Sequence, residues 1–233
     1  MTDQSTLYVI TARGGSKGIP HKNIKPLGGK PLILYSVEIA RQLAPDSLIA
    51  VSTDDPAIAD VVRGAGLEVP YMRPAELATD TAGSREVIID IMGYWRDTLH
   101  RPFDKVVLLQ PTSPFRTVDD VKGCLELYSP DVDMVLSVME ASCNPYYNCF
   151  ETGDDGCLHV SKGDGLYTRR QDVPKAWEQN GAVYVINPDS LRRYPLGMMP
   201  KRLPFVMPRE RSIDLDTPTD WLIAESMINN NTK

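Results

Sequence analysis

The chain is short of several things, and each shortage removes a class of protein. Positive charge is in deficit: 25 lysines and arginines stand against 31 aspartates and glutamates, a formal net charge of −6. A general nucleic-acid binder needs a basic face for the phosphate backbone, so that class is disfavoured. Cysteine is scarce. Cys124, Cys143, Cys149 and Cys157 show neither C-x-x-C spacing nor histidines at zinc-finger distances, which argues against a disulfide framework and for reduced thiols. No apolar run approaches a membrane span, and the start lacks the basic flank and apolar stretch of a secretory leader. The expectation is a cytoplasmic protein. Internal repeats and low-complexity segments are missing too. The three histidines, His21, His100 and His159, are scattered, so no fixed general base is evident. What remains, 42% hydrophobic and 24% charged residues in a chain of 233, suits one large soluble core.

Short apolar runs alternate with longer stretches of helical spacing. LYVIT (7–11), SLIAVST (47–53), KVVLLQ (105–110) and DMVLSVM (133–139) read as strands. Residues 31–43, about 55–65, 84–99 and 117–128 read as helices, with Pro31 in a first turn and Ser84 as an N-cap. This alternation predicts an α/β three-layer sandwich with a mostly parallel, Rossmann-like sheet. Residues 141–179 break the pattern with polar turns and short aromatic stretches such as NPYYNCF. They predict a hairpin-like arm on a core formed by 1–140 and 180–233. GAVYVI (181–186) and RSIDLD (211–216) resume as strands, and TPTDWLIAESMI (217–228) closes as a helix.

One shortage has a local address. Between Gln4 and Val37 there is no acid at all, although Arg13, Lys17, Lys22, Lys25 and Lys30 lie there among Gly14, Gly15 and Gly18. In open α/β sheets ligands sit beyond the carboxyl ends of strands, where this loop falls. Glycine-freed backbone N–H groups can converge on an anion, and the expected guest is a triphosphate. The spacing is neither G-x-x-x-x-G-K-[ST] nor G-x-G-x-x-G. A solvated turn is the bland alternative, and the strand-loop-helix setting weighs against it. Near the other end, Asp214 and Asp216 alternate on a predicted strand and so face one side. Close carboxylates call for a cation such as Mg²⁺ between them, although D-x-D also occurs as a pair of solvated strand-end acids.

The string A-R-G-G-S-K-G-I-P-x-K-N-I resembles the nucleotide-binding loop of the CMP-sialic acid synthetases, the N-acylneuraminate cytidylyltransferases. RPAELATDTAGS (73–84), LLQPTSPFR (108–116) and SIDLDTPTDW (212–221) agree with the same family, so the likeness runs nearly end to end. The resemblance implies a nucleotidyltransferase in which the anomeric hydroxyl of a nine-carbon 2-keto-3-deoxy sugar acid attacks the α-phosphorus of CTP and pyrophosphate leaves. It implies that Arg13, Ser16, Lys17 and Lys22 hold the phosphates, with Arg13, Lys22 and Asp216 catalytic. It places Asn23 on the nucleotide, Arg73 and Ala82 at the cytosine, and Ser84 near the phosphates. Asp214 and Asp216 become the Mg²⁺ site. Gln110, Arg170, Asn180 and Tyr184 become contacts to the sugar acid, Arg170 reaching its carboxylate from a neighbouring subunit's arm. A homodimer is expected, also because Tyr146, Tyr147 and Phe150 sit on an arm with little core of its own. Arg116, near Gln110, is open to a structural role instead of a substrate one; Glu76 and Asp80 read as structural, Ile24 as core, and Asp220 as a first-turn helix acid.

The likeness also has departures. Some bacterial members place two aromatics ahead of the metal segment to line an acylamino pocket, and this chain has Gly197 and Met198 there. EQNG (178–181) stands where some relatives carry RPNG. N-acetylneuraminate, legionaminate, pseudaminate and the deaminated acid KDN all stay open. Competing readings are a Kdo or other sugar nucleotidyltransferase and a non-catalytic nucleotide-binding module. The paired acids speak against the module, since sensing alone would not require both.

Overall fold

The computed structural model describes residues 5–79 and 81–231; Asp80, read above as structural, lies outside them. The chain runs β1 (Thr6–Thr11), a small hairpin of β2 (Pro26–Leu27) and β3 (Lys30–Pro31), α1 (Leu32–Arg41), β4 (Ile49–Ser52), α2 (Pro56–Gly64) and α3 (Ser84–Gly93). It continues through β5 (Lys105–Leu109), α4 (Val118–Leu127) and β6 (Met134–Glu140) into an arm hairpin, β7 (Phe150–Thr152) and β8 (Leu158–Val160). It closes with β9 (Trp177–Ile186), α5 (Pro188–Arg193), β10 (Arg202–Val206) and α6 (Pro218–Asn231).

The central sheet has the order β10-β6-β9-β5-β1-β4. Only β9 runs antiparallel to its neighbours, so the sheet is mostly parallel as predicted. Strands buried on both faces read as continuous apolar runs, and β1 is the case in point. Tyr8 and Ile10 pack into the layer with α1, α2 and α4, while Leu7 and Val9 face the layer of Ile88, Ile91 and Trp95. Local sequence sets the helix starts. Asp55 caps α2 by accepting from Ala57 N at 2.8 Å, ahead of Pro56. Thr117 and Asp120 form a reciprocal capping box on α4.

Four boundaries differ from the sequence reading. Gly83, not Ser84, is the N-cap of α3, and that helix ends in a π turn over Tyr94–Thr98. Residues 211–216 form no strand. The segment is tied to the loop after β5 by Leu215 N donating to Thr112 O at 2.9 Å. The last strand is instead β10, whose Pro204 disguised it and is tolerated because β10 is an edge. β9 starts at Trp177, so the final three residues of the predicted arm belong to the sheet.

Because β1 lies between β4 and β5, the chain leaves it in both directions and a crevice opens at its carboxyl end. Helix α6 packs Trp221 and Ala224 against Ile19, Leu27 and Leu32, bracing the glycine loop from behind. Among the described residues no helix is long and apolar enough to cross a membrane, and all four cysteines are unpaired.

Candidate active site

Three adjoining compartments line the crevice. The first, about 290 Å³, is bounded by Arg13, Arg73, Leu77, Thr79, Ala82 and Ser84. The second, about 330 Å³, shares Thr11 and Arg13 with it and adds Ser16, Lys22, Asn23, Gln110, Thr112, Asp214 and Asp216. The third, about 120 Å³, joins the second at Gln110 and the first at Ser84, and runs past Tyr184 to Gly197 and Arg202. Most of the residues singled out in the sequence thus meet along one crevice.

The glycine loop carries its charge differently from expectation. Acid is absent nearby in sequence but present in space: Gly14 N donates to Asp54 Oδ1 at 3.0 Å and is not available to an anion. Lys25 lies 4.2 Å over the Trp221 ring, and Lys30 pairs with Glu38 at 2.5 Å, so both are anchored away from the crevice. Lys17 is exposed and lines none of the three compartments. Arg13 and Lys22 are the loop cations that face the space. Asn23 lines it too, but its Nδ2 is spent on Arg13 O at 3.0 Å, which fixes the turn. Arg73 is buried, not a surface ion-pairing residue. It donates to Ser52 Oγ at 2.9 Å and Ser52 O at 2.7 Å, and burial pushes its pKa down against the nearby Asp54 charge.

Opposite the loop stands the acid pair. Lys22 Nζ donates to Leu215 O at 2.6 Å and Asp216 Oδ1 at 3.0 Å. Leu215 points into the core beside Trp221 while Asp214 and Asp216 both line the second compartment, so alternation survives without a strand. A Cβ on Gly18 would run into the Asp216 main-chain carbonyl, so glycine is what lets loop and acidic segment touch. Asp214 is half-buried. Burial pushes its pKa up, as does the Asp216 charge, against a hydrogen bond from Thr112 and the charge of Lys22. Its Oδ1 is buried with no hydrogen-bond partner among the described residues, and buried acceptors of that kind call for an explanation. No group of three or more His, Cys, Asp or Glu gathers among the described residues. A cation here would take two protein carboxylates and complete its shell from ligand and water. Asp220 does the structural work expected of it. Against the cost of burial, hydrogen bonds from Thr217 and Asp216 N hold its carboxyl below the usual range.

Gly181, with φ of 73°, lies buried beside Gln110 and Asp214, where a Cβ would meet Gln110 Oε1 at 2.8 Å and Asp214 Oδ2 at 3.3 Å. The Arg116 guanidinium is fully buried on Ser36 Oγ and Gln110 O, and burial pushes its pKa down to about 9, opposed by Asp214 and Asp120. It is structural, holding the end of β5. Asn180, predicted to touch substrate, has its amide engaged in internal hydrogen bonds. It is 2% exposed, accepts from Ser137 Oγ at 2.6 Å, and donates to Ser212 Oγ at 2.9 Å. Those bonds satisfy a bulge where the β6–β9 register shifts. Tyr184 lines the third compartment, and burial pushes its pKa up to about 12. Arg170, on the arm, donates to Ala141 O at 3.3 Å and reaches no compartment of its own chain. Sequence reasoning missed Thr112, Gln179, Leu196 and Arg202. Thr112 and Gln179 lay inside quoted segments, and the others carried no local signal.

The profile of the Cytidylyltransferase family matches residues 7–203. The chain is 33% identical over 226 residues to the CMP-N,N′-diacetyllegionaminic acid synthase of Legionella pneumophila, covering 95% of each. It is 34% identical to the N-acylneuraminate cytidylyltransferase of Streptococcus agalactiae, covering 93% of this chain and 51% of that one. The pseudaminic acid cytidylyltransferase of Campylobacter jejuni is 30% identical, with 94% of each covered. Among solved structures, a CMP:2-keto-3-deoxy-manno-octonic acid synthetase complexed with CTP superimposes with a TM-score of 0.69 at 20% identity, covering 97% of this chain and 99% of that one. That likeness is one of fold.

Proposed function

The chain belongs to the cytidylyltransferase family, and on that premise we propose that it transfers CMP from CTP to the anomeric hydroxyl of a nine-carbon 2-keto-3-deoxy sugar acid, releasing pyrophosphate. The observation that carries the reading is the confrontation, across one crevice, of Arg13 and Lys22 with Asp214 and Asp216. A triphosphate needs cations, and its transfer chemistry is mostly positioning and charge stabilisation. The first compartment takes the cytosine, where Arg73 offers guanidinium N–H groups to pyrimidine acceptors. Arg13 bridges the first two compartments and suits the phosphates between base and acid pair. Lys22 is held on Asp216, so an incoming phosphate competes with that carboxylate for its ammonium. Gln110, at the junction with the third compartment, orients the sugar acid for in-line attack.

Asp214 and Asp216 are the residues that would hold Mg²⁺, and the partnerless Asp214 Oδ1 is an acceptor a hard cation would complete. Such an ion supplies neutralisation of the phosphate charge and polarisation of the phosphoryl oxygens. Homodimerisation belongs to the same reading. The arm leaves Phe150 at 53%, Leu158 at 69% and Leu166 at 77% exposure, more apolar surface than an isolated arm sustains. Arg170, remote from its own crevice, is then free to serve the partner's.

Pyrophosphate release measured with each of four NTPs, crossed with eight- and nine-carbon keto acids, tests this. CTP with a nine-carbon acid is the expected productive pair. No release with any pair, from protein that still binds nucleotide, would leave the non-catalytic module standing.

A further inference from the structure

We propose that Cys143 and Cys149 form a reversible intrachain disulfide, made by exchange with a low-molecular-weight disulfide of the glutathione class, that staples the root of the arm. The site lies outside the crevice and stands whichever acid the enzyme uses.

Backbone geometry brings the two thiols together. Asn144 folds the chain back on itself: its carbonyl accepts N–H groups from Tyr147 at 3.0 Å and from Asn148 and Cys149 at 3.1 Å. Its own N–H donates to Asn148 Oδ1 at 2.8 Å. Cys149 is thereby turned toward Cys143, whose Sγ lies 3.4 Å from Asn148 O, in the peptide unit that leads into Cys149. The Cys143 thiol also hydrogen-bonds the Cys149 side chain. Cys143 is exposed and Cys149 half-buried, so a small disulfide can reach them. Cys157, also exposed, sits apart in the turn between β7 and β8, and Cys124 is buried.

The same turn anchors the arm. Cys149 O accepts from Ser161 N at 2.9 Å and Pro145 O from Lys162 N at 2.8 Å, which ties down the β7–β8 hairpin. Asn144 Nδ2 donates to Pro174 O at 2.9 Å, and Arg170 donates to the nearby Ala141 O at 3.3 Å. Hairpin and returning chain both hang on residues 141–149. A covalent link across that turn restricts its open state and so makes local opening of the arm rarer.

The chemistry is thiol–disulfide exchange. The Cys149 thiolate attacks one sulfur of glutathione disulfide, whose S–S bond breaks and releases a glutathione thiolate. The Cys143 thiolate then attacks the Cys149 sulfur of the mixed disulfide, and the second glutathione leaves. Two protein thiols give up two protons and two electrons, and one glutathione disulfide becomes two thiols. The order follows from the pair itself. The hydrogen bond to Cys149, with the charges of Cys149 and Glu178, pushes the Cys143 pKa up and keeps it protonated at rest. Once Cys149 is a mixed disulfide that bond and its charge are gone, and Cys143 is released to resolve it.

The test is incubation of the full chain with oxidised glutathione, followed by chymotryptic peptide mapping. Cleavage after Tyr146 and Tyr147 should leave fragments joined between Cys143 and Cys149, with two hydrogens lost and the link undone by dithiothreitol. Cys157→Ser should behave as wild type, and Cys143→Ser should retain one glutathione on Cys149. Trypsin acting on the native protein meets exposed Lys162, Arg169 and Arg170. It should cut the oxidised arm at least about tenfold more slowly than the reduced one. Unmodified thiols, separate glutathione adducts on wild type, or a link that takes in Cys157 would overturn the inference. So would a Cys143–Cys149 bond that left cleavage of the arm unchanged. The wild-type map gives its answer without any variant having to fold.

Discussion

Gly181 supports the sharpest test of the site, because one methyl group there carries two independent penalties. Its φ of 73° lies in the left-handed region, which costs an L-residue about 1–2 kcal/mol. For a domain of this length that lowers Tm by about 2–8 °C. The second penalty is steric. The Cβ of Gly181→Ala would sit 2.8 Å from Gln110 Oε1 and 3.3 Å from Asp214 Oδ2. Gln110 can swing aside, but only by leaving the junction between second and third compartments. Displacing a positioning group by about 1 Å costs about 100-fold in rate. The expected signature is therefore modest in thermal denaturation and severe in kcat/KM. Gly15→Ala is the matched control: no atom lies within 4 Å of its Cβ position, and its φ is ordinary. That variant should stay within about 0.5 kcal/mol of the parent. If Gly181→Ala kept the parent's Tm and its kcat/KM, the placement of Gln110 and Asp214 against Gly181 would be refuted.

Other outcomes follow from the same geometry. Asp216→Asn should retain the native circular-dichroism spectrum and Tm, since the side chain is 71% exposed. Its turnover with Mg²⁺ supplied should fall by at least about 100-fold; parental turnover would remove Asp216 from the chemistry. Arg170→Ala and Asp216→Asn, each inactive alone, should regain activity when their subunits are mixed, and light scattering should give twice the 25.9 kDa chain mass. A fully active monomer would break that link. Asp120 is 2% exposed at its side chain; despite burial, hydrogen bonds from Arg211 and Thr117 hold its carboxyl below the ordinary 3.8. A depressed carboxylate contributes stability above the unfolded pKa and loses it as pH falls through the folded one. The urea-midpoint gap between wild type and Asp120→Asn should thus be constant above about pH 4 and shrink below 3.8; a gap that widened in acid would contradict the assignment.

The fold was legible wherever a local period coincided with a buried face. β1, β5, α2 and α4 all announced themselves because apolar spacing and capping chemistry act within a few residues. β10 did not, since Pro204 argues against a strand unless one knows that it lies at an edge. The 211–216 segment misled in the opposite direction. Its alternation was real, but it is produced by burial of Leu215 against α6 and not by a ladder. At the site, residue types singled out Arg13, Lys22, Asp214 and Asp216, which the structure gathers around one compartment. Lys25 and Lys30 have the same charge as Lys22, and their diversion to Trp221 and Glu38 depends on neighbours no motif records. Asn180 follows the same logic: a polar residue at a strand end invites a ligand, and here Ser137 and Ser212 had already claimed it.

The contact between Lys22 and Asp216 spans 194 positions of the chain. A partly folded intermediate with β1 and its loop in place would have cations but no opposing carboxylates, and so would lack the proposed nucleotide seat. Closing so wide a circuit is among the slower events in folding. A nucleotide that touches both ends acts as a removable staple across it, raising stability with ligand concentration by mass action. If nucleotide binds as proposed, its supply sets not only how often the enzyme turns over but how much of it survives proteolysis between turnovers.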